Sequence, residues 1–193
     1  MKIKKEAVAK FIRAVTVPPV LVCVLILVLS VARDDIFYEL RDIIMSFVLL
    51  GVVPVLAYPL QRLLPGFQDK GREGQRKLAF ILNIAGYTLA FILGFAFHVN
   101  DRLMLIYTTY FCSVIILAVF NLLHIRASGH ACSAAGPFLF FIYFTGWTAV
   151  IPCLVVMALI IWSSLILKRH TIKELTLGLL TFIAAFLLSS CLI

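Results

Sequence analysis

Long apolar runs separated by short polar connections make up almost the whole chain, and none of the runs alternates polar and apolar positions as a membrane β-strand does. As helices they are long enough to cross about 30 Å of hydrocarbon. A first span is expected from about Val15 to Ala32, with Pro18 and Pro19 in its opening turns, where proline is tolerated. A second runs from about Ile43 to Leu60, with Pro54 as a point of kinking. The third covers about Leu78 to Phe97, and a short loop, 98 to 102, returns the chain into a fourth from about Leu103 to Leu123.

The next apolar stretch decides the topology. Residues 131 to 167 would extend about 55 Å as one helix, nearly twice the hydrocarbon thickness. Gly146-Trp147-Thr148 and then Pro152 interrupt it near its middle, and Trp147 is of a type enriched at the interface. Two short crossings are therefore expected, at about Cys132 to Gly146 and Ala149 to Leu167, with a last one from Leu175 to Ile193. The fold class that follows is all-α: one integral membrane domain, 1 to 193, built as a polytopic transmembrane helical bundle of about six to seven spans.

Composition agrees with this pattern. Hydrophobic residues make up 63% of the chain and the mean hydropathy is +1.11, against about 45–50% apolar residues in a soluble domain. The basic start, Met1 to Lys5, has the charge of a signal sequence, but the apolar run after it is too long and lacks a small-residue cleavage site, so a retained span is expected. Cys23, Cys112, Cys132, Cys153 and Cys191 all fall in apolar runs without metal-type spacing and read as packing residues.

Charge then orients the bundle. With seven spans, the N-terminal segment 1 to 13 and the connections 61 to 77, 124 to 131 and 168 to 174 share one side, which leaves only Arg33, Arg41 and Arg102 of the 17 cations on the other. Positive-inside bias places the cation-rich side in the cytoplasm, here of a bacterial inner (plasma) membrane. Anionic headgroups account for a net charge of +8 carried at membrane edges, so nucleic acid is not an expected partner. Segment 1 to 13 reads as a basic anchor, and segment 33 to 42 as a solvated turn rather than a cation site.

Three polar elements on the cation-rich side carry candidate chemistry. In Ser163-Ser164-Leu165-Ile166-Leu167-Lys168-Arg169-His170-Thr171-Ile172-Lys173-Glu174, His170 and Glu174 are four residues apart, so in a helical start the carboxylate accepts from the imidazole and orients it. Ala127-Ser128-Gly129-His130 precedes another apolar run. Lys70-Gly71-Arg72-Glu73-Gly74-Gln75-Arg76-Lys77 supplies cations and glycine-loosened backbone amides. Two histidines, one acid and clustered cations suit a phosphate-handling site.

The order of these elements resembles the PAP2 superfamily, the type 2 phosphatidic acid phosphatase-like membrane phosphatases, whose pattern is K-x6-R-P, then P-S-G-H, then S-R-x5-H-x3-D. The similarity spans about residues 70 to 178. The spacing from Ser163-Ser164 through His170 to Glu174 fits throughout, and Ser128-Gly129-His130 matches the second element. The departures are Lys77-Leu78 for arginine-proline, Ala127 for proline, Ser164 for arginine and Glu174 for aspartate. Gly178 follows as a small packing residue.

The resemblance implies a metal-independent phosphatase without a cofactor. In it, His170 attacks phosphorus, Glu174 fixes its tautomer, and His130 protonates the leaving oxygen and then activates water. It implies that Lys70, Arg76, Lys77, Ser128, Gly129, Ser163 and Ser164 bind the phosphoryl oxygens. The substrate class is a phosphorylated lipid, a phospholipid or an isoprenoid phosphate or diphosphate, entering at headgroup level. The same residues also suit a protein of this fold that binds or moves such a lipid without cleaving it. A transporter or channel fits less well, because no acid lies inside a span.

Overall fold

The computed structural model describes residues 2–193, so Met1 of the basic segment lies outside it. Among these residues the chain is all-α, without a strand. The helices are α1 (Lys2–Val15), α2 (Pro18–Ala32), α3 (Leu40–Leu60), α4 (Gly71–Ala96), α5 (Asp101–Leu122), α6 (Gly129–Thr145), α7 (Val150–Ile166) and α8 (Ile172–Leu192). Within α3, the hydrogen bonding widens to a π-helix over Phe47–Val52 just ahead of Pro54.

Five stretches are long and apolar enough to cross a membrane: α3, Gln68–Ala96, α5, Gly129–Ile166 and α8. A sixth appears if α1 and α2, bent by 49° at the break before Pro18, are taken as one broken span. An all-helical architecture suited to a bilayer is thus what the hydrophobic pattern led us to expect.

The 38-residue stretch Gly129–Ile166 is not straight. Gly146 takes φ 78° and ψ −157° at the end of α6, and a 3-10 turn over Gly146–Ala149 leads into α7. Ala134 and Phe138 of α6 share an apolar cluster with Cys153 and Ile160 of α7. Both arms thus pack on each other, and the Ser128 N–H reaches the Glu174 carbonyl at 2.9 Å, as an antiparallel return requires. Each arm has 17 residues, which is about 25 Å of helix, so Gly129 and Ile166 come to the same end of the bundle.

The core forms around α5, whose residues 103–110 are all buried. A helix apolar on every side has no face to offer water and takes the centre. Tyr110 of α5 meets Tyr87 of α4 and Phe182 of α8 edge-on, with ring centres 5.0 and 5.2 Å apart. The outer surface is apolar too: Val31, Trp147, Ile151 and Leu154 stand exposed. Lipid covers such a surface at no cost, since its chains make no polar demands.

Segment 33–42 corrects one expectation, because it is a packed, ion-paired cap rather than a solvated turn. Ile36 and Phe37 drop into the core and Asp42 is 2% exposed. Asp35 pairs with Arg33 at 2.7 Å and Arg102 at 3.2 Å, and Asp42 pairs with Arg41 at 3.2 Å. The hydrogen bond from Arg33 holds the Asp35 carboxyl down at about 2. Arg33 also donates to the carbonyl of Phe144, one of the last in α6, which an ended helix leaves unsatisfied. The local arginines meet Asp35, Glu39 and Asp42, while Asp34 stands exposed to water. Cys112, Cys132 and Cys153 are buried, as packing residues should be, while Cys191 is exposed on α8.

Candidate active site

The turn between α7 and α8 builds the first half of the site. Lys168 adopts φ 49°, and the N–H of Arg169 reaches back to the carbonyl of Ser164 at 2.9 Å. This left-handed ending closes α7 and redirects the chain at once. Thr171 then caps α8: its Oγ1 accepts from the N–H of Glu174 and Glu174 Oε2 accepts from the N–H of Thr171, both at 3.2 Å. The same Oε2 lies 3.0 Å from His170 Nδ1.

Glu174 therefore starts the helix and orients the ring together. With a carboxylate facing it, Nδ1 carries the proton and Nε2 keeps its lone pair. Burial lowers the His170 pKa from its ordinary 6.5; the Glu174 hydrogen bond opposes this, and the charges of Arg13 and Arg76 add to the lowering. The ring is neutral at pH 7.

The second half is the start of α6. Ser128 is fully buried; its N–H donates to the Glu174 carbonyl at 2.9 Å and its Oγ accepts from the N–H of Ala131 at 3.2 Å. Gly178, one turn further along α8, packs so tightly that a Cβ there would collide with the Ser128 carbonyl oxygen. These contacts clamp the α6 start to the α8 start and so bring His130 beside His170. Among the described residues, His130 Nε2 is buried without a hydrogen-bond partner, and its neighbours by charge are Arg13, His170 and Arg169.

The Ser128 N–H is engaged, while its buried hydroxyl accepts from Ala131 and keeps its own proton to donate. The Gly129 amide, at the first turn of α6, is one of the N–H groups a helix leaves unpaired. Gly129 is exposed, with open space where a side chain would be.

Helical phase sorts the basic element. Lys70, Glu73 and Lys77 share one face, and Lys77 pairs with Glu73 at 2.9 Å. Arg72 and Arg76, four residues apart, share another. Arg76 acts on His170, and partial burial lowers the pKa of Arg169, with the charge of Arg72 adding to it. Of Lys70, Arg76 and Lys77, then, only Arg76 bears on a histidine by its charge, and that histidine is His170. Arg72, absent from the expected phosphate ligands, joins it by helical phase; its i, i+4 relation to Arg76 is the signal that could have found it.

Ser163 and Ser164 are fully buried. Ser163 Oγ donates to the Ile160 carbonyl at 2.9 Å. Ser164 Oγ accepts from Arg13 Nη1 at 3.2 Å. The pair is a small-residue seat on which α1 packs, with the fully buried Ala9 among the α1 residues, and not a set of open phosphate ligands. Arg13 was read as part of a surface anchor, and nothing local in the sequence places it here.

His98 and His124 lie elsewhere. Both are exposed and take φ of 51° and 57° just past the ends of α4 and α5, where each serves as a helix stop. No group of three or more His, Cys, Asp or Glu among the described residues is placed to hold a metal ion. A hollow of about 590 Å³ lies away from the histidines between α3 and α4. An apolar groove of about 440 Å³ runs between α6, α7 and α8 from Ala135 to Phe186.

What the geometry assembles is an oriented neutral imidazole, a second imidazole with an unpaired nitrogen, an open helix start and a ring of guanidinium groups. Comparison with protein-family models, curated proteins and solved structures gave no match, so the reading of this site rests on its own geometry.

Proposed function

We propose that the protein is a phosphatase of the PAP2 type, which hydrolyses a phosphorylated lipid through a phosphohistidine on His170. The observation that carries this reading is the 3.0 Å contact of His170 Nδ1 with Glu174, which leaves Nε2 free as a nucleophile beside His130. In the first step Nε2 attacks phosphorus, the bond to the lipid oxygen breaks, and protonated His130 gives its proton to that oxygen. The phosphate dianion itself favours the protonated form of His130 by its charge.

In the second step His130 takes a proton from water, whose oxygen attacks phosphorus and releases phosphate from the ring. Arg76, Arg72 and the Gly129 amide stabilise the equatorial oxygens. Neither step needs a metal or an added cofactor.

The lipid fits because the groove of about 440 Å³ begins at Ala135, five residues or about 8 Å along α6 from His130. A tail lies there while the phosphate meets the histidines at headgroup level. In this reading α2 to α8 each cross the bilayer, and the excess of cations puts the site on the cytoplasmic face of an inner membrane. Purified wild-type protein is expected to release phosphate from a lipid phosphate and His170→Ala is not. Equal release by both ends the proposal.

Ser164, at the arginine position of the family pattern, favours a second reading, a binder of phosphorylated lipid without turnover. Trapping a phosphohistidine separates the two, since a binder forms no covalent intermediate.

A further inference from the structure

We propose that Arg13 is a phosphate-binding residue, so that the site on α6 and α8 is completed by a guanidinium from the N-terminal helix; this deepens the phosphatase reading and rests on it. Arg13 lies partly buried, and its one hydrogen bond is to the neutral hydroxyl of Ser164, at 3.2 Å. Among the described residues no carboxylate reaches it: the ion pairs are Arg33–Asp35, Arg41–Glu39, Arg41–Asp42, Lys77–Glu73, Arg102–Asp35 and His170–Glu174.

A half-desolvated cation held without a counter-charge is costly unless an anion arrives to meet it. Its surroundings sharpen the point. Arg13 acts by charge on both His130 and His170, and Arg72, Arg76 and Arg169 lie around it. The only acid at the centre, Glu174, already serves His170 and Thr171. Four arginines and no free carboxylate make a place for a multiply charged oxyanion.

The guanidinium suits that task, because it has five donors in a planar fork and Ser164 uses one. The remaining donors are those that match two oxygens of a phosphoryl group. Ser164 thereby acts as the rest that aims the fork, and its small size is what lets α1 come close.

The test measures binding and turnover separately on the detergent-solubilised full chain. Arg13→Gln keeps an N–H donor for Ser164 and removes the charge. It is expected to weaken binding of inorganic phosphate, followed by calorimetry, at least tenfold while the melting temperature stays within a few degrees. Arg13→Lys restores only part of the affinity, because an ammonium keeps the charge but not the fork.

An unchanged phosphate Kd in Arg13→Gln overturns the proposal. So does an Arg13→Gln variant that loses only its association with vesicles of anionic phospholipid, because the arginine then serves bilayer headgroups. If wild type cleaves lipid phosphate and Arg13→Gln does so with the same KM, this inference falls and the phosphatase reading stands. If phosphate binding depends on Arg13 but wild type cleaves nothing, the reverse holds.

Discussion

At the scale of single residues, the proposed mechanism gives the two imidazoles different work. His130→Ala is expected to slow hydrolysis of a lipid phosphate by about 10²- to 10⁴-fold. The loss should shrink for an aryl phosphate whose leaving group needs no proton, and parallel rates on the two substrates check it. Glu174→Gln removes the group that raises the His170 pKa against burial. The acid limb of the pH–rate profile should therefore move to lower pH while the plateau falls, as NMR titration of the ring and the rate profile will report together.

The sign for stability follows from the same shift. A histidine with a folded pKa below its unfolded 6.5 contributes stability that is present above 6.5 and lost as pH falls through the folded value. The His170–Glu174 pair was legible because it is local: the capped start of α8, with Thr171 as its cap, brings the residue just before the cap onto Glu174. The capping box was equally legible, since Thr171-Ile172-Lys173-Glu174 is its pattern. Arg13 was not, because its place depends on which distant helix α1 chooses.

At the scale of elements, close backbone approach positions the chemistry. Gly178→Ala sets a methyl against the Ser128 carbonyl and is expected to cost about 1–3 kcal/mol. Because that carbonyl belongs to the α6 start, activity should fall further than the melting temperature suggests, and thermal melts alongside phosphate release will show it. Gly146→Val should cost a similar 1–3 kcal/mol, since few side chains tolerate φ 78° with ψ −157°. The reversal at Gly146 was readable from length, because two crossings fit 37 residues and one does not. The division of the basic element was readable from phase, yet counting cations alone hides it: Lys77 and Arg76 are neighbours in sequence that look in different directions.

At the scale of the molecule, charge asymmetry and topology make one joint prediction. In a background without the five native cysteines, a cysteine at Gln68 should be labelled only from the cytoplasmic side and one at Asp34 only from the other, both positions being exposed. Labelling of both from the same side removes the arrangement. The all-helical class was legible throughout, because apolar length is a direct physical requirement of the bilayer, whereas five or six stretches, not seven, are long and apolar enough to cross it. Their neighbours were less so, since lipid solvates every apolar face alike and small residues such as Ser163 and Ser164 decide who packs on whom. The contact between Arg13 and Ser164 joins positions 151 apart, and a ribosome delivers the first long before the second. Helix α1 therefore finds its seat only after α7 has been made, and a phosphate pocket that depends on Arg13 stays incomplete until then.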